Sequence, residues 1–156
     1  MKYVLSMCAM VICLVSVASV SAGQGSGGLT GEDYVEIQQL YARYAHTLDL
    51  GDAEGWADTF TPDGVFADSK GRAELITFAE GFYGRGGDAR HWNSQVLITP
   101  TADGADGSCY LLLVNTAAQP VSITVSGIYQ DKIVKTPAGW RFQERVATIE
   151  RPAGSQ

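Results

Sequence analysis

The stretch Tyr41-Ala42-Arg43-Tyr44-Ala45-His46-Thr47-Leu48-Asp49-Leu50-Gly51-Asp52 decides the fold, read together with Arg90-His91-Trp92-Asn93. Ile37, Leu40, Tyr41, Tyr44 and Leu48 recur at spacings of three and four, the apolar stripe of an amphipathic helix over about Gly31 to Leu50. Thr30 is its expected N-cap, with Asp33 three residues on as a variant of the capping box. Gly51 is the expected stop. Asp49 lies about 100° from Leu48 on the helical wheel, at the stripe's edge. A carboxylate in the last turn faces the negative end of the helix dipole. That position suits a proton-transfer group, although a solvated helix-end residue would look the same. His46 falls opposite the stripe and is expected in solvent.

Working outward, Asp52 opens a short helix carrying Trp56 and ending near Phe60. Thr61-Pro62-Asp63-Gly64 reads as a turn, and Val65-Phe66-Ala67 as a short strand. Arg72 to Tyr83 has helical spacing through Ile76, Ala79, Phe82 and Tyr83. Gly84-Arg85-Gly86-Gly87 reads as a mobile loop and a possible lid. From Ala89 the period becomes two, with His91, Asn93, Gln95 and Leu97 on one face and Trp92, Ser94, Val96 and Ile98 on the other. Thr101 to Gly107 is an expected turn. Ser108 to Ala117 is nearly all apolar and is expected to be buried on both faces. A strand over Val121 to Lys135, a turn at Thr136-Pro137-Ala138-Gly139 and a last strand over Trp140 to Ile149 complete the chain. On that last strand the alternation puts Trp140, Phe142, Glu144 and Val146 together, opposite Arg141, Gln143 and Arg145. The expected core is Tyr44, Leu48, Trp56, Phe60, Ile76, Phe82, Trp92, Leu112, Tyr129 and Phe142.

Helices first and long strands after is an α+β pattern. Long twisted strands curl, so the expected shape is a cone: a curved antiparallel sheet wrapped around the N-terminal helices and enclosing a pocket.

The N-terminus is a separate unit. Lys2 precedes an uncharged run from Tyr3 to Ala22 that ends in Val20-Ser21-Ala22, a small-x-small pattern. Residues 1–22 read as a cleavable signal peptide, with an uncleaved anchor as the rival reading. Residues 23–28 read as a Gly/Ser linker, 29–151 as one domain and 152–156 as a tail. Cleavage leaves 134 of the 156 residues with net charge −7, because Lys2 departs from a chain of −6. The mature chain would then be exported, periplasmic or secreted, with no stable membrane association. Cys109 would be its one cysteine, buried and inert, with no internal disulfide. The acidic balance argues against nucleic acid and anionic membranes as partners. Two histidines without metal-ligand spacing make a metal site improbable, and no cofactor is expected.

The ordered set Tyr44-x4-Asp49, Asp52, Trp56, Phe60-Thr61-Pro62-Asp63-Gly64-Val65-Phe66, Gly71-Arg72 and Arg90-His91-x-Asn93 resembles the SnoaL-like group of the nuclear transport factor 2-like superfamily. So does the closing Gly127-x-Tyr129-x-Asp131 with Trp140-Arg141-Phe142-x-x-Arg145. The group is similar in fold to scytalone dehydratase, ketosteroid isomerase and bile acid 7α-dehydratase. The resemblance implies the cone fold, a homodimer and a small hydrophobic cyclic substrate of steroid, polyketide or aromatic type. It implies catalytic roles for Asp49, His91 and Tyr44, and a pocket with Asn93, Arg145, Tyr110, Trp56, Phe66 and Tyr129. A second histidine found in scytalone dehydratase has no counterpart, and Tyr110 alone stands where it would act. Arg145 reads equally as a salt-bridge partner of Glu144 or Asp131. Two functions compete: a cofactor-independent dehydratase or double-bond isomerase, and a non-catalytic binder of small hydrophobic ligands.

Overall fold

The computed structural model describes residues 28–85 and 88–150. The expected signal peptide, residues 23–27 of the expected linker, Gly86-Gly87 of the expected lid and the expected tail lie outside the described residues.

Helix α1 spans Gly31–Asp49. Thr30 caps it in a complete capping box: its hydroxyl accepts from the Asp33 N–H at 3.1 Å, and Asp33 accepts from the Thr30 N–H at 2.9 Å. Asp33 also accepts from Lys135 Nζ at 2.6 Å and Trp140 Nε1 at 3.1 Å, tying the helix start to the far end of the sheet. Gly51, at φ +77°, ends the helical run in the left-handed region. The stripe read from the sequence is the buried face: Ile37, Leu40, Tyr41, Tyr44 and Leu48 are all buried.

Helix α2 covers Ala53–Ala57, capped by Asp52, which accepts from the Gly55 N–H at 2.9 Å. The strands are β1 (Phe60–Phe66), β2 (Ser69–Lys70), β3 (Ala89–Pro100), β4 (Ala105–Asn115), β5 (Ser122–Thr136) and β6 (Gly139–Ile149), with α3 (Gly71–Arg85) between β2 and β3. They form one curved, unclosed sheet in the order β2-β1-β6-β5-β4-β3, antiparallel except for β1 beside β6. The helices cover its concave side. Tyr41 comes so close to β4 that a Cβ on Gly107 would meet its hydroxyl, so only glycine fits there.

Several expectations are corrected. Phe60 belongs to β1, and Thr61-Pro62-Asp63-Gly64 is part of that strand rather than a turn. The β1–β6 register shifts between Phe60 and Val65, and that irregular stretch accommodates a proline without an N–H. The turn before β4 ends by Gly104, and Gly84 and Arg85 complete α3. In α3 the buried residues are Leu75 and Ala79; Ile76 and Phe82 are only partly buried, so the inward face is turned by one residue. β4 is buried on one face, not two: Leu111 is 4% exposed and Tyr110 is 54% exposed. The outer face also leaves Trp92 exposed and Leu112 half-buried, although both were expected in the core.

Two bulges explain the remaining differences. Between Ser94 and Leu97 β3 carries an extra residue, and Gln95 takes φ +51°. Alternation therefore swaps: His91 and Asn93 face inward, but Leu97 faces out at 66% exposure. In β6, Phe142 pairs with Ile133 and Glu144 with Lys132, so Gln143 is extra. Arg145 thereby joins Phe142 on the inner face and is fully buried, while Val146 is exposed.

Candidate active site

Asp49 at the end of α1 and His91 near the start of β3 meet across the rim of the cone. Asp49 Oδ1 accepts from His91 Nδ1 at 2.6 Å, and Oδ2 accepts from the His91 backbone N–H at 2.8 Å. Both side chains are nearly enclosed, His91 at 4% and Asp49 at 8% exposure. β3 is the sheet's edge strand, so the carboxylate also caps an N–H that no neighbouring strand pairs. A carboxylate on Nδ1 requires the proton there and leaves Nε2 with its lone pair outward. Among the described residues Nε2 has no hydrogen-bond partner. Phe82 of α3 lies over the imidazole with ring centroids 5.4 Å apart, and Tyr44 meets it edge-on at 6.1 Å.

The second group lies deeper. Arg145, fully buried, donates from Nε and Nη2 to the two oxygens of Asp131 at 2.7 and 2.8 Å. Tyr41 donates to Asp131 Oδ2 at 2.5 Å. The guanidinium carbon sits 3.9 Å from the Phe142 ring centroid, 4.2 Å from Tyr44, 4.4 Å from Tyr129 and 4.8 Å from Tyr41. Of the two salt-bridge partners considered, Asp131 is the one found; Glu144 pairs with Lys132 at 3.5 Å. Burial disfavours the Arg145 charge, but the Asp131 carboxylate outweighs it and holds the pKa above the ordinary arginine value. Among the described residues Arg145 Nη1 has no acceptor in hydrogen-bonding geometry.

Tyr44 donates to the Tyr129 hydroxyl at 3.5 Å. Burial, reinforced by the neighbouring phenol, raises the Tyr44 pKa well above the ordinary tyrosine value, and burial raises that of Tyr129 as well. Both are neutral hydrogen-bond donors. Trp56 and Phe66 complete this aromatic box, 5.5 and 6.3 Å from Tyr44. Burial pushes the Cys109 thiol up to about 12, consistent with an inert core group.

The structure thus divides the residues singled out from the sequence. Asp49 and His91 form a pair; Tyr44, Trp56, Phe66, Tyr129 and Arg145 form the packed interior beside it. Asn93 is separate: it lines a cleft of about 350 Å³ between α1 and β3 that also touches His91, and both its amide atoms are buried without partners among the described residues. Tyr110 points away from all of these, on the outer face of β4. His46 is exposed, lining the same cleft as Asn93.

The sequence reading did not single out a second opening. A cleft of about 310 Å³ at the mouth of the cone is lined by Phe82, Arg85, Leu113 and Asn115, among others. Leu113 pairs directly with His91. That pairing is set by the β3 bulge and the β4 register, which no local sequence signal announces. Among the described residues no group of three or more His, Cys, Asp and Glu side chains could hold a metal ion. No described helix is long and apolar enough to cross a membrane.

A Mycobacterium tuberculosis protein described as of unknown function is 31% identical, with a TM-score of 0.73 and 80% of each chain covered. An NTF2-like protein with a cystatin-like fold from Novosphingobium aromaticivorans is 27% identical, TM-score 0.70, over 80% of this chain and 84% of that one. A Catenulispora acidiphila protein solved in complex with S-DNPA is 28% identical, TM-score 0.68, over 77% and 95% of the two chains. The family model described as the SnoaL-like domain matches residues 30–146, and the chain belongs to that family.

Proposed function

We propose that the protein is a cofactor-independent lyase or isomerase, a dehydratase or double-bond isomerase, acting on a small hydrophobic cyclic compound of steroid, polyketide or aromatic type. One observation carries this reading: a nearly enclosed imidazole with its Nδ1 fixed by a carboxylate at 2.6 Å. His91 Nε2 takes a proton from a substrate carbon and returns it to a departing hydroxyl or to a second carbon. Asp49 orients the ring and stabilises the imidazolium that forms. Substrate enters by the mouth beside Phe82 and Leu113 and displaces the Phe82 ring from the imidazole. α3 buries only Leu75 and Ala79 fully, which suits a helix that gives way. Tyr44 and Tyr129 then form the pocket floor as neutral donors, with Trp56 and Phe66 as its wall. Arg145, held by Asp131, fixes the two tyrosines. Asn93 supplies an amide with both hydrogen-bonding atoms free to orient a polar substituent.

A second reading, that the pocket only holds a hydrophobic ligand, is favoured by the full burial of Tyr44, whose hydroxyl is turned to Tyr129. Turnover of ring-hydroxy compounds by the wild type, Asp49→Asn and His91→Ala decides between them. The catalytic reading expects a loss of about 10²–10⁴ in rate for either variant. Unchanged turnover in both variants would remove the proton-transfer roles. A ligand that copurifies without any turnover would establish the binding reading.

A further inference from the structure

A cleft of about 600 Å³ opens at the opposite end of the sheet from His91, between the α2–β1 junction and the β5–β6 hairpin. Its walls include Phe60, Pro62, Pro137 and Ala138, and two arginines, Arg72 and Arg141, reach it. Neither Asp49 nor His91 lines it. The Phe60 ring, 6.0 Å from Tyr44, stands between this cleft and the aromatic interior.

The two arginines differ in their partners. Arg72 is neutralised by Asp58 at 3.0 Å and Glu54 at 3.8 Å. Arg141 is half-buried, and among the described residues its one side-chain hydrogen bond runs from Nη1 to the adjacent Trp140 carbonyl at 2.8 Å. Among the described residues no carboxylate lies within ion-pair distance of Arg141 or of Arg43, an exposed α1 cation whose charge acts on it. Burial and the Arg43 charge both disfavour the Arg141 cation, and Asp58, already engaged by Arg72, offsets this only in part. This chain has 17 acidic and 11 basic side chains, so solvent-facing arginines have carboxylates to spare. A half-buried guanidinium in the wall of an apolar cleft, with no counter-ion among the described residues and a second cation acting on it, is the arrangement of a site completed by an anion.

We propose that this cleft is a second ligand site, separate from the Asp49–His91 pair, that takes an aryl carboxylate. The guanidinium fork of Arg141 receives the carboxylate, Arg43 adds its field, and Phe60, Pro62 and Pro137 contact the ring system. A volume of this size accommodates a bicyclic ring system.

Titration calorimetry of the purified protein with 2-naphthoate and with isosteric, uncharged 2-naphthamide tests this. Naphthoate is expected to bind roughly ten-fold tighter or more, the effect of one charge-assisted bond. Arg141→Met is expected to abolish that preference, and Arg43→Gln to reduce it. Arg141→Lys, which keeps the charge and loses the fork, is expected to retain part of it and serves if the methionine variant does not fold. Backbone amide shifts on naphthoate addition should centre on Thr61, Thr136 and Ala138. Equal binding of acid and amide, no saturable binding of naphthoate, a preference that survives Arg141→Met, or shifts centred on His91 would each overturn the proposal.

Discussion

Replacing Asp49 by asparagine tests the central pair without knowledge of the substrate. The carboxylate now accepts twice from one residue, from the His91 backbone N–H at 2.8 Å and from Nδ1 at 2.6 Å. An asparagine carbonyl can keep the first bond. Its NH₂ must then face Nδ1, and two donors cannot share a bond, so the ring proton moves to Nε2. The variant therefore presents an N–H where the wild type presents a lone pair. Both bonds also lose their charge assistance, at roughly 1–1.5 kcal/mol each, or about 2–3 kcal/mol in total. For a domain of this size that lowers Tm by roughly 6–15 °C. Nitrogen-15 NMR of histidine reads the tautomer directly, and the chain has two histidines, so His91→Ala assigns the signals. The expected result is an Nδ1–H ring in the wild type and an Nε2–H ring in Asp49→Asn. A variant that keeps the proton on Nδ1, or melts with the wild type, would show that Asp49 does not set the chemistry of His91.

Arg145→Met should cost about 3–5 kcal/mol in urea unfolding, because it strands the Asp131 carboxylate in the core, and adding Asp131→Leu should recover part of that loss; a double variant as unstable as the single would refute the pairing argument. Asp33 has its pKa held below the ordinary 3.8, first by Lys135 and then by Thr30, so its stabilisation is present above that range and fades as pH falls through it. The gap in urea midpoint between wild type and Asp33→Asn should accordingly be widest near neutrality and shrink below about pH 4; a gap constant from pH 7 to pH 2 contradicts this. Export with cleavage after Ala22 is proposed from the sequence alone, and the intact mass of the product should begin at Gly23; a membrane-bound product retaining Met1 refutes it. A homodimer is proposed through the outer sheet face, where Trp92, Leu97 and Tyr110 are 66%, 66% and 54% exposed. Trp92→Glu with Tyr110→Lys should convert a dimer to a monomer in sedimentation velocity, and a wild type that sediments as a monomer at high concentration removes the proposal.

Much of the helical layer was legible because its signals are local. The α1 stripe, its Thr30 cap and its end before Gly51 depend on residues within a few positions of one another, and they predicted the buried face residue by residue. The alternation that set His91 and Asn93 on one face was equally local and held up to Ser94. It failed beyond Gln95 and again beyond Gln143, because a bulge inserts one residue and reverses every later side chain. Whether a strand bulges is decided by its neighbour, since the ladder can be counted only when both strands are present. That is why Leu97 was misplaced inward and why Arg145 was put on the face opposite Phe142. Trp92 and Tyr110 misled for a related reason: an apolar residue fits a core and an open sheet face alike, and hydropathy does not separate the two. The pairing of Asp49 with His91 depends on a strand edge 42 residues from the helix end, and that of Asp131 with Arg145 on register across a bulged ladder. The sequence by itself determined which side chains were available and which helical face they occupied. Only the tertiary structure decided which of them meet, because each contact is set by a register that no single segment contains.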